Sequence, residues 1–416
     1  MKVLITPSQT GGRISAIASK SAAHRALICA AFADKDTRIL CHELNEDIEA
    51  TVRCLSALGA NIERDAPYYL VKPVKNIVKG ATLDCGESGS TMRFLVPVAC
   101  LLGADASFLM SGRLPNRPLS PLREELERCG ITFSEAGSNP LVCRGKVTEN
   151  EFAIRGDVSS QFISGLLFAL AVSGRAGKLR IIGKLESAPY VDITADMLRR
   201  FGVDVSTTED GYEIKKNGGL VSPFDLAVEG DWSNAAFPLA LGAIGKRPVS
   251  VSGLDENSRQ GDKGILDVLR SMGARVESDG GCVTVYPSAL GGARVDSSQI
   301  PDLVPIIATV ASVAEGETVI YNAGRLRIKE SDRLLAVSTV LRGIGANVTE
   351  TEDGLRIVGV PALSGGEVSS FGDHRIVMSA AVASVRCRNT LTIDGAEAVA
   401  KSYPKFFEDM RKLGLK

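Results

Sequence analysis

The feature of this sequence that most limits its fold is a glycine that recurs at nearly constant spacing. Six helix-like stretches each end at a glycine and are followed by a short β-like run. These glycines are Gly59, Gly130, Gly202, Gly273, Gly345 and Gly414, separated by 71, 72, 71, 72 and 69 residues. A glycine just after a helix adopts the left-handed cap conformation without the steric cost of a side chain. The spacing predicts one supersecondary unit used six times.

Each repeat contains two helix signals. The helices of one set are apolar nearly all round, which is typical of helices inside a domain, and each begins near a Ser or Asp that can act as an N-cap. The six starts lie near Ser19, Ser88, Ser159, Ser233, Asp302 and Asp373. The second set is amphipathic and ends at the recurring glycines. Short alternating runs between the helices predict strands, so the chain as a whole is expected to be α/β.

The sixth repeat is truncated, because only two residues follow Gly414. We expect its missing strand pair to come from the other end of the chain, from residues 2–5 and 13–17. This predicts a discontinuous lobe of residues 1–18 and 231–416. A second lobe would contain residues 19–230, and each lobe would have three repeats. The active site is expected in the cleft between the lobes.

Composition excludes several classes of function. The net charge of −1 provides no general field for nucleic acid or anionic membranes. The nine cysteines are odd in number and never in CxxC spacing, and there are only three histidines, so neither a disulfide framework nor a zinc site is suggested. No apolar run reaches the roughly 18 residues of a membrane helix. We expect a reduced cytoplasmic protein without a metal or cofactor.

Basic residues occur at helix starts, where acidic residues are normally favoured. Lys20 and Arg25 lie in the first buried helix, Arg93 in the second and Arg375 in the sixth. A helix N-terminus carries a partial positive charge, so cations there are unfavourable unless an anion compensates them. The serines at the same starts are explained equally well by capping alone.

More cations precede the amphipathic helices. Arg113 and Arg117 lie in one such loop, Lys329 and Arg333 in another, and Lys401 opens the last helix. If that segment is helical, Lys329 and Arg333 share one face, where like charges repel. A solvated charged face is the alternative explanation. Taken together, cations at equivalent edges of both lobes predict a site for one or two acidic substrates.

Six groups of residues, in order along the full chain, resemble the EPSP synthase family, the 3-phosphoshikimate 1-carboxyvinyltransferases of the shikimate pathway. The groups are Lys20-Ser21 with Arg25, Gly89 with Met92-Arg93, Ser159-Ser160-Gln161, Arg327 with Lys329-Glu330 and Asp332-Arg333, Asp373-His374-Arg375, and Lys401 with Pro404. The resemblance implies a two-lobe inside-out α/β barrel built from six βαβαββ repeats, three per lobe. It also implies transfer of the enolpyruvyl group of phosphoenolpyruvate to the 5-hydroxyl of shikimate 3-phosphate, in chorismate and aromatic amino acid biosynthesis.

The resemblance implies roles for individual residues as well. Shikimate 3-phosphate would be held by Lys20, Ser21, Arg25, Ser159, Ser160, Gln161, Ser187, Asp302 and Lys329. Phosphoenolpyruvate would be held by Lys20, Gly89, Arg93, Arg117, Gln161, Arg333, Arg375 and Lys401. The catalytic set would be Asp302, Lys20, Lys329, Glu330 and His374. Asp302 is the candidate base at the 5-hydroxyl or a plain helix cap. Lys329 and Glu330 would carry protons at the methylene carbon, and His374 either assists or only begins a helix.

Two positions depart from the family pattern, and two other functions stay open. Glu87 opens a segment where the family often has Asn-Ala-Gly-Thr, and Arg325 replaces a neutral amide. The related UDP-N-acetylglucosamine enolpyruvyl transferase needs a loop cysteine, for which Cys129 is a poor candidate. A repeat-built clamp on nucleic acid is disfavoured by the near-zero net charge. We expect a monomer whose partners are small molecules, with no nucleic acid or membrane.

Overall fold

The computed structural model describes residues 1–42, 45–215 and 218–416. The chain divides into two compact units, one of residues 1–17 with 229–416 and one of residues 18–228. Each unit has its own hydrophobic core. No described helix is long and apolar enough to cross a membrane.

The first unit begins with two short strands, β1 (Lys2–Ile5) and β2 (Gly12–Ser15). The chain then forms the whole second unit. The helices of that unit are α1 (Lys20–Ala31), α2 (Glu46–Ala57), α3 (Gly89–Leu102), α4 (Leu122–Arg128), α5 (Ser160–Ser173) and α6 (Ala188–Arg200). Its strands are β3 (Thr37–Leu40), β4 (Asn61–Asp65), β5 (Tyr68–Lys72), β6 (Thr82–Asp84), β7 (Ser107–Leu109), β8 (Thr132–Phe133), β9 (Leu141–Arg144), β10 (Glu151–Arg155), β11 (Gly177–Ile182), β12 (Val205–Thr208), β13 (Gly211–Ile214) and β14 (Asp225–Ala227).

The rest of the chain completes the first unit. Its helices are α7 (Trp232–Ile244), α8 (Ile265–Ser271), α9 (Val304–Ala311), α10 (Arg333–Gly343), α11 (His374–Ala383) and α12 (Phe406–Lys412). Its further strands are β15 (Val249–Ser252), β16 (Arg275–Asp279), β17 (Cys282–Tyr286), β18 (Arg294–Asp296), β19 (Glu317–Tyr321), β20 (Asn347–Glu350), β21 (Leu355–Val358), β22 (Gly366–Ser369) and β23 (Leu391–Asp394).

The sheets show that one supersecondary unit is repeated. Among the described residues, five four-stranded sheets have the orders β14-β3-β5-β4, β6-β7-β9-β8, β10-β11-β13-β12, β2-β15-β17-β16 and β18-β19-β21-β20. In each, the first two strands are parallel and the remaining pairs antiparallel. A three-stranded sheet, β22-β23-β1, starts with the same parallel pair. The predicted α/β fold is confirmed.

The sequence led us to expect that both N-terminal strands complete the sixth repeat, and this prediction is wrong for one of them. β1 pairs antiparallel with β23 of that repeat, but β2 pairs parallel with β15 of the fourth repeat. In return β14, which precedes the fourth repeat along the chain, pairs with β3 of the first. The chain crosses between the units just after β2 and just after β14. Each of these strands therefore belongs to the unit that the chain is leaving.

The recurring glycines cap helices as predicted. The φ angles of Gly59, Gly130, Gly202, Gly273, Gly345 and Gly414 are 114°, 89°, 78°, 95°, 91° and 93°. Gly59 N–H donates to the Ser56 carbonyl (3.0 Å) and Ala60 N–H to the Leu55 carbonyl (3.1 Å). This is the paired hydrogen bonding of a Schellman motif, which left-handed backbone permits.

The buried helices begin near the six predicted residues, but only four of those residues cap a helix through their side chains. Ser19, Ser88, Ser159 and Asp373 cap α1, α3, α5 and α11 through their side chains. Asp231 rather than Ser233 caps α7, because the helix begins at Trp232 and Ser233 is already inside it; the Ser233 hydroxyl donates to Asp262. Asp302 lies in a 3-10 turn, Pro301–Leu303, and neither this turn nor α9 has a side-chain cap bond. The interpretation of Asp302 as a plain helix cap is therefore wrong.

Candidate active site

The predicted site residues fall into two groups, one in each unit. The unit of residues 18–228 carries Lys20, Ser21, Arg25, Gly89, Arg93, Arg117, Ser159, Ser160, Gln161 and Ser187. The other unit carries Asp302, Lys329, Glu330, Arg333, His374, Arg375 and Lys401.

Lys20 is the first residue of α1 and lies beside the start of α2. The Ser19 hydroxyl accepts a hydrogen bond from the Ala22 N–H (3.3 Å) and so caps α1. Lys20 Nζ lies 2.7 Å from Asp47 Oδ2, and only 16% and 15% of the two side chains are exposed. A carboxylate of the same unit therefore provides part of the compensating charge that the sequence led us to expect from a ligand.

Arg25 is buried further along α1. Its Nε donates to Thr194 Oγ1, its Nη1 to the Ser21 carbonyl and its Nη2 to the Tyr190 carbonyl, each at 2.7 Å. All three acceptors are neutral. Burial lowers the pKa of Arg25 to about 10, so the group is still protonated at neutral pH. A buried guanidinium whose described partners are neutral keeps an uncancelled charge, which favours an anionic ligand.

The starts of α3 and α5 are joined through Gln161. Its Oε1 accepts from Arg93 Nη1 (2.9 Å), and its amide donates to Ser90 Oγ (2.9 Å). The two helices approach closely because Gly165 of α5 lies against the Arg93 carbonyl, where a Cβ would overlap it. Predicted site residues from two different repeats are thus in direct contact.

Two guanidinium groups converge on the first residue of α3. A Cβ built on Gly89 would lie 2.7 Å from Arg117 Nη1 and 3.2 Å from Arg93 Nη1. Arg117 reaches this place from the loop that follows the 3-10 turn Leu114–Asn116. The free N–H groups of the helix start add to the positive potential of the two arginines, and this combination suits an anion.

Glu87, one of the two departures from the family pattern, lies beside the same helix start. Its carboxylate occupies the space that a side chain on Gly112 would need, next to the loop that carries Arg113 and Arg117. The negative charge of Glu87 makes the potential at the start of α3 less positive than the arginines alone would make it.

Three serines of the predicted set lie at helix starts in this unit. Ser159 accepts from the Gln161 N–H (3.3 Å) and caps α5, and Ser160 is the buried first residue of that helix. Ser187 stands at the N-cap position of α6, with a left-handed φ of 54° and no side-chain cap bond. Capping therefore accounts for Ser159 but not for the placement of Ser187.

In the other unit, Asp302 lies at the centre of a charged cluster. Its Oδ1 is 2.8 Å from Arg333 Nη1 and 3.7 Å from Lys329 Nζ, and its Oδ2 is 2.9 Å from Arg375 Nη2. Burial favours the neutral acid, but Arg375, Lys329 and Arg333 outweigh burial and hold the pKa of Asp302 well below its ordinary value. Asp302 is therefore ionised at neutral pH.

Arg333 connects Asp302 to two further carboxylates and is almost fully buried. Its Nη2 lies 2.7 Å from Glu330 Oε2 and its Nε 2.8 Å from Asp373 Oδ2. Asp373 also caps α11 by accepting from the Arg375 N–H (2.9 Å). These residues form a network in which moving one charge disturbs several hydrogen bonds.

The cluster is close to neutral as a whole. Its cations and carboxylates are, respectively, Lys329, Arg333 and Arg375, and Asp302, Glu330 and Asp373. Acidic side chains of the protein thus supply the compensating charge within this unit. A ligand anion that binds these cations would compete with the carboxylates for the same N–H groups.

Lys329 has an unusual acidity. Burial lowers the pKa of Lys329 to about 8, although the nearby Asp302 opposes this change. A lysine with such a pKa exchanges protons near neutral pH, as acid–base chemistry requires. Lys329 and Arg333 do not share a helix face: Lys329 follows the 3-10 turn Gly324–Ile328, and α10 begins at Arg333.

The start of α11 brings together the remaining predicted residues. His374 is its first residue, buried, with Nδ1 3.8 Å from Asp373 Oδ1. The prediction that Lys401 opens the last helix is wrong, because α12 begins only at Phe406. Lys401 ends the 3-10 helix Ala396–Lys401 and donates to the Gly372 carbonyl (3.0 Å), just before α11. Arg325, the second departure from the family pattern, donates to the Ser298 carbonyl (3.1 Å).

Several partners of these cations were missed from the sequence. Asp47 had a weak signal, as an acid in the first turn of an amphipathic helix. Thr194 and Tyr190 had none, because their bonds to Arg25 join residues 169 and 165 positions apart. Such contacts follow only from the packing of α1 against α6.

No cluster of metal-ligating side chains was found among the described residues.

Comparison with known proteins identifies the family. A family model described as EPSP synthase (3-phosphoshikimate 1-carboxyvinyltransferase) matches residues 5–410. The 3-phosphoshikimate 1-carboxyvinyltransferase of Clostridium kluyveri is 45% identical over 414 residues, which cover 99% of this chain and 97% of the relative. That of Methanocorpusculum labreanum is 40% identical over 418 residues, covering 100% and 99%.

Solved structures agree with this match. EPSP synthase from Acinetobacter baumannii aligns with a TM-score of 0.83 at 27% identity, over 100% of this chain and 98% of that one. The enolpyruvyl transferase NikO from Streptomyces tendae has a TM-score of 0.78 over 100% and 97%, but at 19% identity it shows only the shared fold. Because the match spans almost all of the chain, and relatives named for this activity are 40–45% identical to it, the chain belongs to the EPSP synthase family.

Proposed function

We propose that the chain transfers the enolpyruvyl group of phosphoenolpyruvate to the 5-hydroxyl of shikimate 3-phosphate, releasing phosphate. This is the reaction named for its family, in the biosynthesis of chorismate and the aromatic amino acids. The match over residues 5–410 favours this activity over that of the UDP-N-acetylglucosamine enolpyruvyl transferase. The observation that carries the assignment of residues is the cluster around Asp302. It contains an ionised carboxylate next to a lysine whose pKa is about 8.

The shikimate 3-phosphate subsite belongs mainly to the unit of residues 18–228 in this proposal. Arg25 supports this assignment because it is buried and its described partners are neutral. The residues proposed to hold this substrate are Lys20, Ser21, Arg25, Ser159, Ser160, Gln161 and Ser187, with Asp302 and Lys329 from the other unit. A fixed phosphate would exchange its water for charged hydrogen-bond donors, which form the strongest hydrogen bonds available to it.

Phosphoenolpyruvate carries a carboxylate and a phosphate, so its subsite needs several cations. The convergence of Arg93 and Arg117 on Gly89 supports one half of this subsite. The residues proposed to complete it are Lys20, Gln161, Arg333, Arg375 and Lys401. Planar guanidinium groups match both anionic groups of this substrate through paired hydrogen bonds. That the two units are the lobes of the predicted barrel pair, with the site between them, is part of the same proposal.

The chemistry needs a base at the 5-hydroxyl and a proton for the methylene carbon. Asp302 is the proposed base, and Lys329 and Glu330 are the proposed proton carriers. The hydroxyl oxygen forms a bond to C2 of phosphoenolpyruvate while the methylene carbon gains a proton. The same carbon then loses a proton as phosphate leaves, so atoms and charge balance without an oxidant or reductant. His374 is proposed to assist at the start of α11.

Substrate binding would also change the basicity of Asp302. Its carboxylate is held by Arg333 and Arg375, and these two ion pairs make it a weak base. Phosphoenolpyruvate bound to the same arginines would draw their hydrogen bonds away. The pKa of Asp302 would then rise toward the value that a general base needs.

Phosphate release measured with purified protein tests the function directly. We expect release only when shikimate 3-phosphate and phosphoenolpyruvate are both present, with a new enolpyruvyl ether detected by mass spectrometry. Omission of either substrate is the control. Release with UDP-N-acetylglucosamine in place of shikimate 3-phosphate would overturn the proposal.

The oligomeric state and cellular location belong to this proposal as well. We propose a monomer that acts in the cytoplasm on small molecules alone, without nucleic acid. Light scattering coupled to size-exclusion chromatography would give the mass in solution, expected to equal the 43.9 kDa of one chain.

A further inference from the structure

His24 is a buried titratable residue for which the proposed chemistry has no role. It lies on α1, one turn after Lys20 and directly before Arg25, and is 1% exposed. Its Nδ1 lies 2.7 Å from Thr51 Oγ1 on α2. Its Nε2 is buried without a hydrogen-bond partner in the described structure. One ring nitrogen therefore makes the polar contact, and the other makes none.

The contact continues through a chain of hydroxyl groups. Thr51 Oγ1 lies 2.7 Å from Thr91 Oγ1, which lies 2.7 Å from Ser88 Oγ, the cap of α3. Thr91 Oγ1 also lies 3.4 Å from the carbonyl oxygen of Asp47, whose side chain pairs with Lys20. This row of hydrogen bonds thus connects α1, α2 and the first turn of α3 inside one unit.

The protonation state of His24 agrees with this chain. Burial, together with the charges of Lys20 and Arg25, lowers the pKa of His24 well below its ordinary value, so the ring is neutral. With the hydrogen on Nδ1, His24 donates to Thr51, Thr51 to Thr91, and Thr91 to Ser88 or to the Asp47 carbonyl. Nε2 then buries only an acceptor, which is tolerated better than a buried N–H without a partner.

We propose that His24 is a positioning residue that fixes the start of α3 relative to the start of α1. Lys20 lies at one of these starts and Gly89 at the other. The two anions of the proposed reaction would bind at these helix starts. The distance between the anions would therefore depend on the hydrogen bonds from His24 through Thr51 and Thr91 to Ser88. This inference rests on the proposed function. Misplacement by about 1 Å can cost on the order of 100-fold in rate, even from a residue that does not touch the substrate.

A purely structural role for His24 makes a different prediction. Its ring packs edge-on against Phe94, with ring centroids 6.4 Å apart. An apolar side chain of similar size would preserve this packing but not the hydrogen bond to Thr51. Asparagine would keep the hydrogen bond to Thr51 but lose the ring packing, because its amide nitrogen lies at about the same distance from Cβ as Nδ1 of histidine.

The test compares His24→Leu with His24→Asn in steady-state kinetics and direct binding. We expect His24→Leu to lower kcat/KM for phosphoenolpyruvate by about 10- to 100-fold. Its affinity for shikimate 3-phosphate alone should stay within about threefold, because Arg25 and its three hydrogen bonds are retained. His24→Asn should retain at least about a third of the parent's kcat/KM.

Thr51→Val interrupts the same row of hydrogen bonds at the residue next to His24 and changes almost no volume. We expect it to show the same kinetic pattern as His24→Leu, and the double variant to be no worse than the more affected single variant. This non-additivity is expected for two residues that act through one chain. If His24→Leu does not fold, Thr51→Val alone tests the proposal.

Two results would overturn the inference. One is a kcat/KM of Thr51→Val within twofold of the parent value. The other is an equal fall in melting temperature in His24→Leu and His24→Asn, with kcat/KM unchanged in both variants. Failure of the proposed function itself looks different, since the parent protein would then release no phosphate from the two substrates.

Discussion

At several single residues of this protein, opposite charges of the same unit compensate one another. Lys20 is paired with Asp47, and Asp302 is paired with Arg333 and Arg375. Cations at helix starts are costly alone, and these acids offset part of that cost. Because the acids hold the same N–H groups that an anionic substrate would use, binding would exchange one partner for another. Asp302, which would lose partners in this exchange, is where the effect on chemistry should be largest.

The variant Asp302→Asn distinguishes two roles of Asp302, as a base at the 5-hydroxyl or as a counter-ion of the arginines. If Asp302 accepts the proton of the 5-hydroxyl, the variant should fold, bind shikimate 3-phosphate and lose about 10²- to 10⁴-fold in kcat. A counter-ion would act mainly through the arginines, and its loss would change KM for phosphoenolpyruvate instead. Turnover within a few-fold of the parent would move the base role to Glu330 or Lys329. Asp373→Asn is the matched control, because it removes another carboxylate bonded to Arg333, and asparagine can still cap α11.

Lys329 should set the alkaline limit of activity. With a pKa of about 8, Lys329 is mostly protonated below that pH and mostly neutral above it. If it donates the methylene proton, kcat/KM should fall as the pH rises through about 8, by tenfold for each further unit. Lys329→Arg keeps its charge to much higher pH, so this fall should disappear from its profile, measured between pH 6 and 10. An unchanged alkaline limb in the variant would exclude Lys329 as the titrating group.

At the scale of elements, α3 and α5 bring proposed site residues into contact because the two helices pack very closely. Arg93 of α3 reaches Gln161 of α5 only because Gly165 has no side chain at their contact. The glycine that allows the close approach lies one turn from the residue that makes the polar contact. A change in helix separation is therefore expected to affect both stability and the proposed phosphoenolpyruvate subsite.

Gly165→Ala and Gly343→Ala should have opposite effects on stability. A Cβ at Gly165 would overlap the Arg93 carbonyl, so the variant should lose about 1–3 kcal/mol in free energy of unfolding. Gly343 lies in α10 with its nearest neighbour 3.9 Å from the added Cβ, so alanine there should add up to about 1 kcal/mol. Urea denaturation followed by circular dichroism measures both. Equal effects of the two substitutions would contradict close packing as the cause.

The whole molecule consists of two units that the chain visits in the order first, second, first. Each unit has its own core, and the chain crosses between them only near residues 17 and 228. Two connections of this kind permit relative motion of the units as hinged bodies. The proposed substrate contacts come from both units, so a substrate that used them all would have to hold the units together.

Shikimate 3-phosphate alone should make the molecule more compact. If the proposed site lies between the units, cations from both would repel one another until an anion binds, so ligand binding should favour a closed form. Small-angle X-ray scattering should show a smaller radius of gyration at saturating substrate. Arg25→Ala, which lacks a main proposed phosphate contact, should need much more substrate for the same change. An unchanged radius of gyration with demonstrated binding would contradict closure.

Local physics explains what the sequence determined by itself. A glycine after a helix and a Ser or Asp before one act within a few residues of the chain, and so the repeats and most helix starts could be predicted. Tertiary packing decided the rest. It placed β2 in the sheet of the fourth repeat, turned Asp302 from a helix cap into the partner of three cations, and joined His24 to Ser88 through two threonines. Each of these contacts links distant parts of the chain, where local sequence carries no signal about which side chains will meet.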